Sequence, residues 1–206
     1  MYVDFKNSQT KDNLMRAFAG ESQARNRYTF AAGQAKQQKL HILEEIFTYT
    51  ANQEKEHAEI FYNFLKDLSG ETITVDGTYP VDIDPSMQKI LRCAEHNELE
   101  EHDVVYKSFA ETAKEEGFPQ IASAFEQIAK IEKTHAERFG RYAQWMEQNM
   151  LFGMNDPMNA GVARQTAWLC LNCGHIHVGP VAPKNCPVCH HDQGYFVREA
   201  EGPFTK

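Results

Sequence analysis

Residues 43–61 read LEEIFTYTANQEKEHAEIF, and stepping along them by alternating fours and threes collects Leu43, Phe47, Thr50, Glu54, His57 and Phe61 on one stripe of a helix. The stripe runs on through Phe64 and Leu68. Its ends are large and apolar, which turns it inward, and Glu54 and His57 at its middle are carried into the interior with it.

Three more segments repeat the pattern. Leu14, Phe18, Glu21, Arg25, Tyr28, Ala32 and Ala35 form one seam, and Met87, Leu91, Ala94, Glu98, Glu101 and Val105 form a second. The third is Ile121, Phe125, Ile128, Glu132, His135, Phe139, Tyr142 and Met146. On exposed faces the heptad neighbours of the polar residues would be Lys, Gln and Ser; here they are Phe, Leu, Ile and Val. Four such helices predict a mainly α fold, a four-helix bundle. Five glutamates meeting in its core call for cations, because a buried carboxylate without a partner costs several kcal/mol or takes up a proton.

Glu54 with His57 and Glu132 with His135 are both Glu-x-x-His pairs, which set an oxygen and a nitrogen one turn apart on one face. Di-iron carboxylate bundles use such a pair from each of two helices and a single Glu from each of the other two. This chain has that set, with Glu21 and Glu98, and one carboxylate more, Glu101. Carboxylate and imidazole donors suit iron or manganese, and two irons bridged by carboxylates can bind and cleave an O–O bond.

The composition, 206 residues with 42% hydrophobic and 24% charged, suits one mid-sized bundle plus a small second unit. With 21 basic and 29 acidic residues the formal charge is −8, which argues against nucleic acid or an anionic membrane as partner. Residues 1–11 hold no apolar export segment, and no stretch approaches the roughly eighteen apolar residues of a membrane span; the expected location is the cytoplasm.

Caps at residues 7–10 and a break near Lys39–Leu40 predict that the first two helices are antiparallel. Residues 69–85, with Gly70, Gly77, Pro80 and Pro85, are too long for a tight turn and predict a crossover running the length of the bundle, the single long connection of ferritin-like bundles. Gly117 and Pro119 separate the last two helices. Gly153 to Gly161, with Pro157, reads as a linker. The expected domains are therefore a bundle at 1–150, a linker at 151–164 and a separate unit at 165–206.

That last unit has too few apolar residues to fold on a core alone, and a structural metal is the usual remedy below about 40 residues. Cys170-x-x-Cys173, twelve residues and Cys186-x-x-Cys189 supply a tetrahedral four-sulfur site, which holds either zinc or iron. Gly174 and Pro187 let backbone N–H groups turn back onto the sulfurs. Beside a dimetal bundle, an iron cycling between Fe(II) and Fe(III) would serve as electron donor. Cys93, off the seam, is an ordinary helix residue. No Gly-x-Gly-x-x-Gly motif is present, so electrons must come from an outside partner.

The stretches FAGESQARNRY (18–28), QEKEHAEIF (53–61), SFAETAKEEGF (108–118) and CLNCGHIHVGPVAPKNCPVC (170–189) resemble, in this order and over essentially the whole chain, the rubrerythrin family. The resemblance implies a homodimer or higher homo-oligomer of ferritin-like bundles with rubredoxin-like tails. It implies a non-haem di-iron peroxidase that reduces hydrogen peroxide to water in oxidative stress protection, drawing electrons from a rubredoxin or a rubredoxin reductase-type donor. Carried over, the ligands of two iron ions are Glu21, Glu54, His57, Glu98, Glu101, Glu132 and His135, with Glu54 and Glu98 as bridges. One iron exchanges His57 for Glu101 on oxidation. Tyr28 and Tyr106 hydrogen-bond ligand carboxylates, and Cys170, Cys173, Cys186 and Cys189 hold one further iron, with zinc as a substitute. The family also suggests that one subunit's tail serves the other's di-iron site.

Three rival readings are a ferroxidase or iron-storage role, an oxygen-reducing oxidase, and a non-catalytic scaffold with a zinc ribbon. His41, His96, His102, His190 and His191 lie off the ligand registers and are expected at the surface, while His175 and His177 are surplus beside four thiolates.

Overall fold

The computed structural model describes residues 3–155 and 165–202; residues 156–164 of the expected linker, including Pro157 and Gly161, and 203–206 of the expected tail lie outside them. Helix α1 spans Gln9–Gln37, α2 His41–Asn63, α3 Met87–Glu100, α4 Tyr106–Glu115 and α5 Pro119–Glu147. A π-helical segment, Glu101–Val105, joins α3 to α4, so the two make one long helix with a single widened turn.

Local chemistry sets the ends. Ser8 caps α1, its Oγ accepting the Lys11 N–H at 3.0 Å, and Pro119 opens α5 where its missing N–H costs nothing. Gly117, at φ +90°, makes the turn before it. The crossover lies along α1. Arg16 donates to Asp76, Arg27 to Asp82, Gln34 to the Asp84 carbonyl and Gln38 to the Pro85 carbonyl, so the strand climbs beside the helix it must pass.

Two apolar clusters fill the bundle. One contains Tyr28, Phe47, Leu91, Phe139 and Tyr142, and the other Leu14, Phe61, Tyr106, Phe125 and Ile128. Glu21, Glu54, His57, Glu98, Glu132 and His135 are buried as predicted. Phe18, Phe64, Glu101 and Met146 are partly buried, and two further seam positions differ for a reason of register. Arg25 is exposed and Ala24 is buried in its place; the inner face of α1 runs through Ala17, Ala24 and Ala31. In α4, Tyr106 is buried and Val105 only partly, because the π turn inserts one residue and shifts the register.

The tail is a three-stranded antiparallel sheet in the order β2-β1-β3, with β1 Thr166–Cys170, β2 Ile176–Gly179 and β3 Phe196–Arg198. Its core is Trp168, Cys170, Ala182, Cys186 and Phe196. It sits on the end of the bundle formed by the α1–α2 turn and the end of α5. Tyr195 stacks on His41 with ring centres 3.7 Å apart, and Arg198 lies over both Trp145 and Trp168. Gly194 is pressed against the Lys39 carbonyl so closely that any Cβ would collide with it.

Candidate metal centres

The bundle centre brings six of the seven expected bundle ligands into two overlapping groups. Glu21, Glu54, His57 and Glu132 form one, and Glu54, Glu98, Glu132 and His135 the other; within each, one donor atom per residue lies within 4.8 Å of the rest. Both groups share Glu54 and Glu132. Glu98 belongs to one only; the carboxylates common to both groups are Glu54 and Glu132, whereas the resemblance implies Glu54 and Glu98 as the bridges. The Glu132 carboxylate reaches both imidazoles, at 2.9 Å from His57 Nδ1 and 2.8 Å from His135 Nδ1.

The tyrosines explain which oxygens face the centre. Tyr106 donates to Glu21 Oε1 at 2.5 Å, and Tyr28 donates to Glu98 Oε1. The other oxygen of each carboxylate, Glu21 Oε2 and Glu98 Oε2, is buried with no hydrogen-bond partner, as are Glu54 Oε1, both Glu132 oxygens and His135 Nδ1. His135 Nδ1 stands 2.8 to 3.5 Å from three carboxylates without the alignment of a hydrogen bond. Lone pairs that converge on common points rather than on one another are what cations need, and the hard oxygen and imidazole donors fit a pair of irons.

Electrostatics supports the same fit. Burial, helped by the neighbouring carboxylates, pushes Glu21 and Glu98 above the usual carboxylate range, Glu98 to about 8. Burial disfavours charged imidazoles, yet the close carboxylates, Glu132 foremost, outweigh it, raising His57 strongly and His135 to about 12. Against its own burial, the same contacts pull Glu132 down to about 2. Protons on the two histidines thus stand in for positive charge that metal ions supply when the rings bind as neutral ligands.

Glu101 lies beside the two groups, not within them. It is partly exposed, on the π turn, five positions before Tyr106, whose N–H bonds back to the Glu101 carbonyl. A residue that the seams do not reveal also joins the site: Gln53 Oε1 is 3.0 Å from His135 Nε2. Accepting from Nε2–H fixes the tautomer that leaves Nδ1 free to ligate. Gln53 precedes Glu54 in sequence, but nothing in the spacing says that it reaches across to α5.

In the tail, all four cysteine sulfurs lie within 4.8 Å of one another, with Cys170–Cys189 at 3.7 Å and Cys173–Cys186 at 3.6 Å. Metal–sulfur bonds of about 2.3 Å in a tetrahedron set sulfurs roughly 3.8 Å apart, so the fit is close. The two turns match each other. Cys170 N–H bonds the His175 carbonyl and Cys186 N–H the His191 carbonyl, each at 2.8 Å. Backbone N–H groups point at Cys173 from His175 and at Cys189 from His191, the latter helping to hold Cys189 down at about 5. Where the first turn has Gly174 at φ +75°, the second has His190 at φ +63°. Pro187 therefore is not the counterpart of Gly174.

A family profile described as Rubrerythrin matches residues 12–143 and 89–170, and one described as Rubrerythrin, rubredoxin-like domain, matches 168–197. The chain belongs to the rubrerythrin family. Similar relatives include the rubrerythrin of Clostridium perfringens, 42% identical over 93% of this chain and 94% of that one. That of Nitratidesulfovibrio vulgaris is 37% identical over 93% and 94%. Among solved structures, fully reduced, all-ferrous nigerythrin is similar at a TM-score of 0.59 and 25% identity, covering 96% of both chains. The fold is thus the ferritin-like bundle with a rubredoxin-like tail, and a rubrerythrin with these two donor sets is an iron protein of the oxidoreductase class. Among the described residues no helix is long and apolar enough to cross a membrane.

Proposed function

We propose that the chain reduces hydrogen peroxide to water, H2O2 + 2e− + 2H+ giving two H2O, with electrons relayed through the four-cysteine iron from a rubredoxin or a reductase of that type. The supporting observation is the pair of donor groups sharing Glu54 and Glu132 in a chain that also carries a one-electron four-cysteine site. In this reading Glu21, Glu54, His57, Glu98, Glu132 and His135 hold two irons and Glu101 is an alternative ligand to His57. The irons, when bound, supply the two electrons that split the O–O bond.

The chain's own residues do the rest. Tyr106 and Tyr28 each occupy the outer oxygen of a carboxylate and so aim the inner one. Gln53 orients His135. The aromatic groups Tyr28–Phe47–Phe139 on one side and Phe61–Tyr106–Phe125 on the other brace the helices that carry the donors. The four-sulfur tail favours this over iron storage, which needs no such relay.

The test is anaerobic stopped-flow spectroscopy of iron-loaded, fully reduced protein mixed with hydrogen peroxide and, separately, with air-saturated buffer. Oxidation of both sites much faster with peroxide is the expected result. Equal or faster reaction with oxygen, or a silent four-cysteine site, replaces the proposal with an oxidase or a ferroxidase.

A further inference from the structure

A cavity of about 450 Å³ lies between α1, the crossover and the π turn. Its inner wall includes Glu101 and Tyr106, the latter bonded to Glu21, so it ends at the edge of the metal cluster. Its sides include Ala17 and Gly20 of α1, Phe109 of α4 and, at the mouth, the half-exposed ring of Tyr79, with Arg16, Arg27, Asp82, His96 and Glu100 also in the walls. The small residues make the room. A Cβ on Gly20 would touch only the Tyr79 ring, at 3.7 Å. The mouth is pinned, Tyr79 donating to the Arg16 carbonyl at 3.2 Å while Arg16 holds Asp76 at 2.7 Å.

Hydrogen peroxide is little larger than water, which takes up about 30 Å³ in the liquid, so it would fill only a small part of this space. Cavities of roughly 300–1,000 Å³ that combine apolar walls with polar groups able to orient a guest take small organic molecules. Resting on the peroxide-reductase reading, we propose that this cavity admits organic hydroperoxides, with the alkyl or aryl group against Ala17, Phe109 and Tyr79 and the O–O end beside Glu101 and Tyr106. The reaction is ROOH + 2e− + 2H+ giving ROH + H2O. The O–O bond breaks, the electrons come from the reduced iron centres, and the alcohol leaves by the mouth at Tyr79.

Reduced, iron-loaded full-length protein is mixed anaerobically with hydrogen peroxide, tert-butyl hydroperoxide and cumene hydroperoxide, and the alcohols are quantified. The expected result is one alcohol per two electrons, with kcat/KM for cumene hydroperoxide within about ten-fold of that for hydrogen peroxide. Reaction with hydrogen peroxide alone overturns the inference and leaves the parent reading standing; reaction with neither overturns both. Ala17→Leu fills the cavity and should lower the ratio of cumene hydroperoxide to hydrogen peroxide kcat/KM by about ten-fold or more, whereas Tyr79→Ala opens the mouth and should raise it. A ratio that moves in neither variant overturns the assignment. Binding independent of turnover is read by NMR with 2-phenyl-2-propanol on redox-silent, zinc-loaded protein. Saturable binding weakened by Ala17→Leu is expected, and its absence in the parent protein counts against the site.

Discussion

The bundle gathers its donors from four helices between Glu21 and His135 and buries all but Glu101. The tail draws its four from two short turns between Cys170 and Cys189, and leaves Cys173 exposed. The bundle cluster is flanked on both sides by aromatic and aliphatic side chains that hold the helices together without it. The tail has five buried core residues, two of which are the cysteines themselves. One scaffold is therefore built to tolerate a costly polar centre, and the other has its metal as the main member of its core. Metal should be a passenger in the first fold and a structural part of the second.

Replacing Cys186 by Ser, or extracting the tail metal with a chelator, gives the sharpest contrast. The sheet of residues 166–198 should lose its dispersed amide NMR signals while far-UV circular dichroism keeps the bundle's helical signal. Loss of the helical signal as well would erase the distinction. Within the bundle, Glu132→Ala should remove both irons and reduce peroxide turnover by about a hundred-fold or more, whereas Glu98→Ala should leave one iron bound. Metal analysis showing equal losses would return Glu98 to a bridging place. Gln53→Leu should weaken iron binding at His135 by about 10–100-fold with unchanged thermal unfolding of the iron-free bundle. The smallest effects belong to the tail turns. Gly174→Ala should destabilise the tail by about 1 kcal/mol, and His190→Gly should stabilise it by up to about 1 kcal/mol, because only the second position carries a side chain at positive φ. Calorimetry of the metal-loaded protein gives both signs, and a stabilising Gly174→Ala would refute the equivalence of the turns.

The seams of α2 and α5 are legible because large apolar residues sit on both sides of each Glu-x-x-His, so a single step pattern fits the whole helix. Helix α1 is less so. Fours and threes taken in either order pass through Leu14, Glu21, Tyr28 and Ala35, and the true face is marked by Ala17, Ala24 and Ala31, small residues that carry a weak hydrophobic signal. The π turn is silent in the pattern, since it changes the count and not the composition. Three further features depend on the fold and not on spacing along any one helix: the sharing of Glu132 between both donor groups, the reach of Gln53 and the cavity walled by the crossover. The backbone angle of His190 is hidden for another reason, because Gly marks only the first turn.

The π turn sets the register of the helix from Met87 to Glu115. If residues 101–105 wound as ordinary α-helix with the sequence unchanged, everything after them would rotate by about 100°. Tyr106, Ala110 and Ala113 would leave the core, and the Tyr106 hydroxyl would leave Glu21. Since no residue within 101–105 is buried, the register is held downstream, by the burial of those three side chains, and not by the segment itself. The helix works like a dial whose pointer is the Tyr106 hydroxyl and whose detent is in α4. Alanine or serine at Tyr106 would loosen the detent, and a one-residue deletion in 101–105 would remove the need for it.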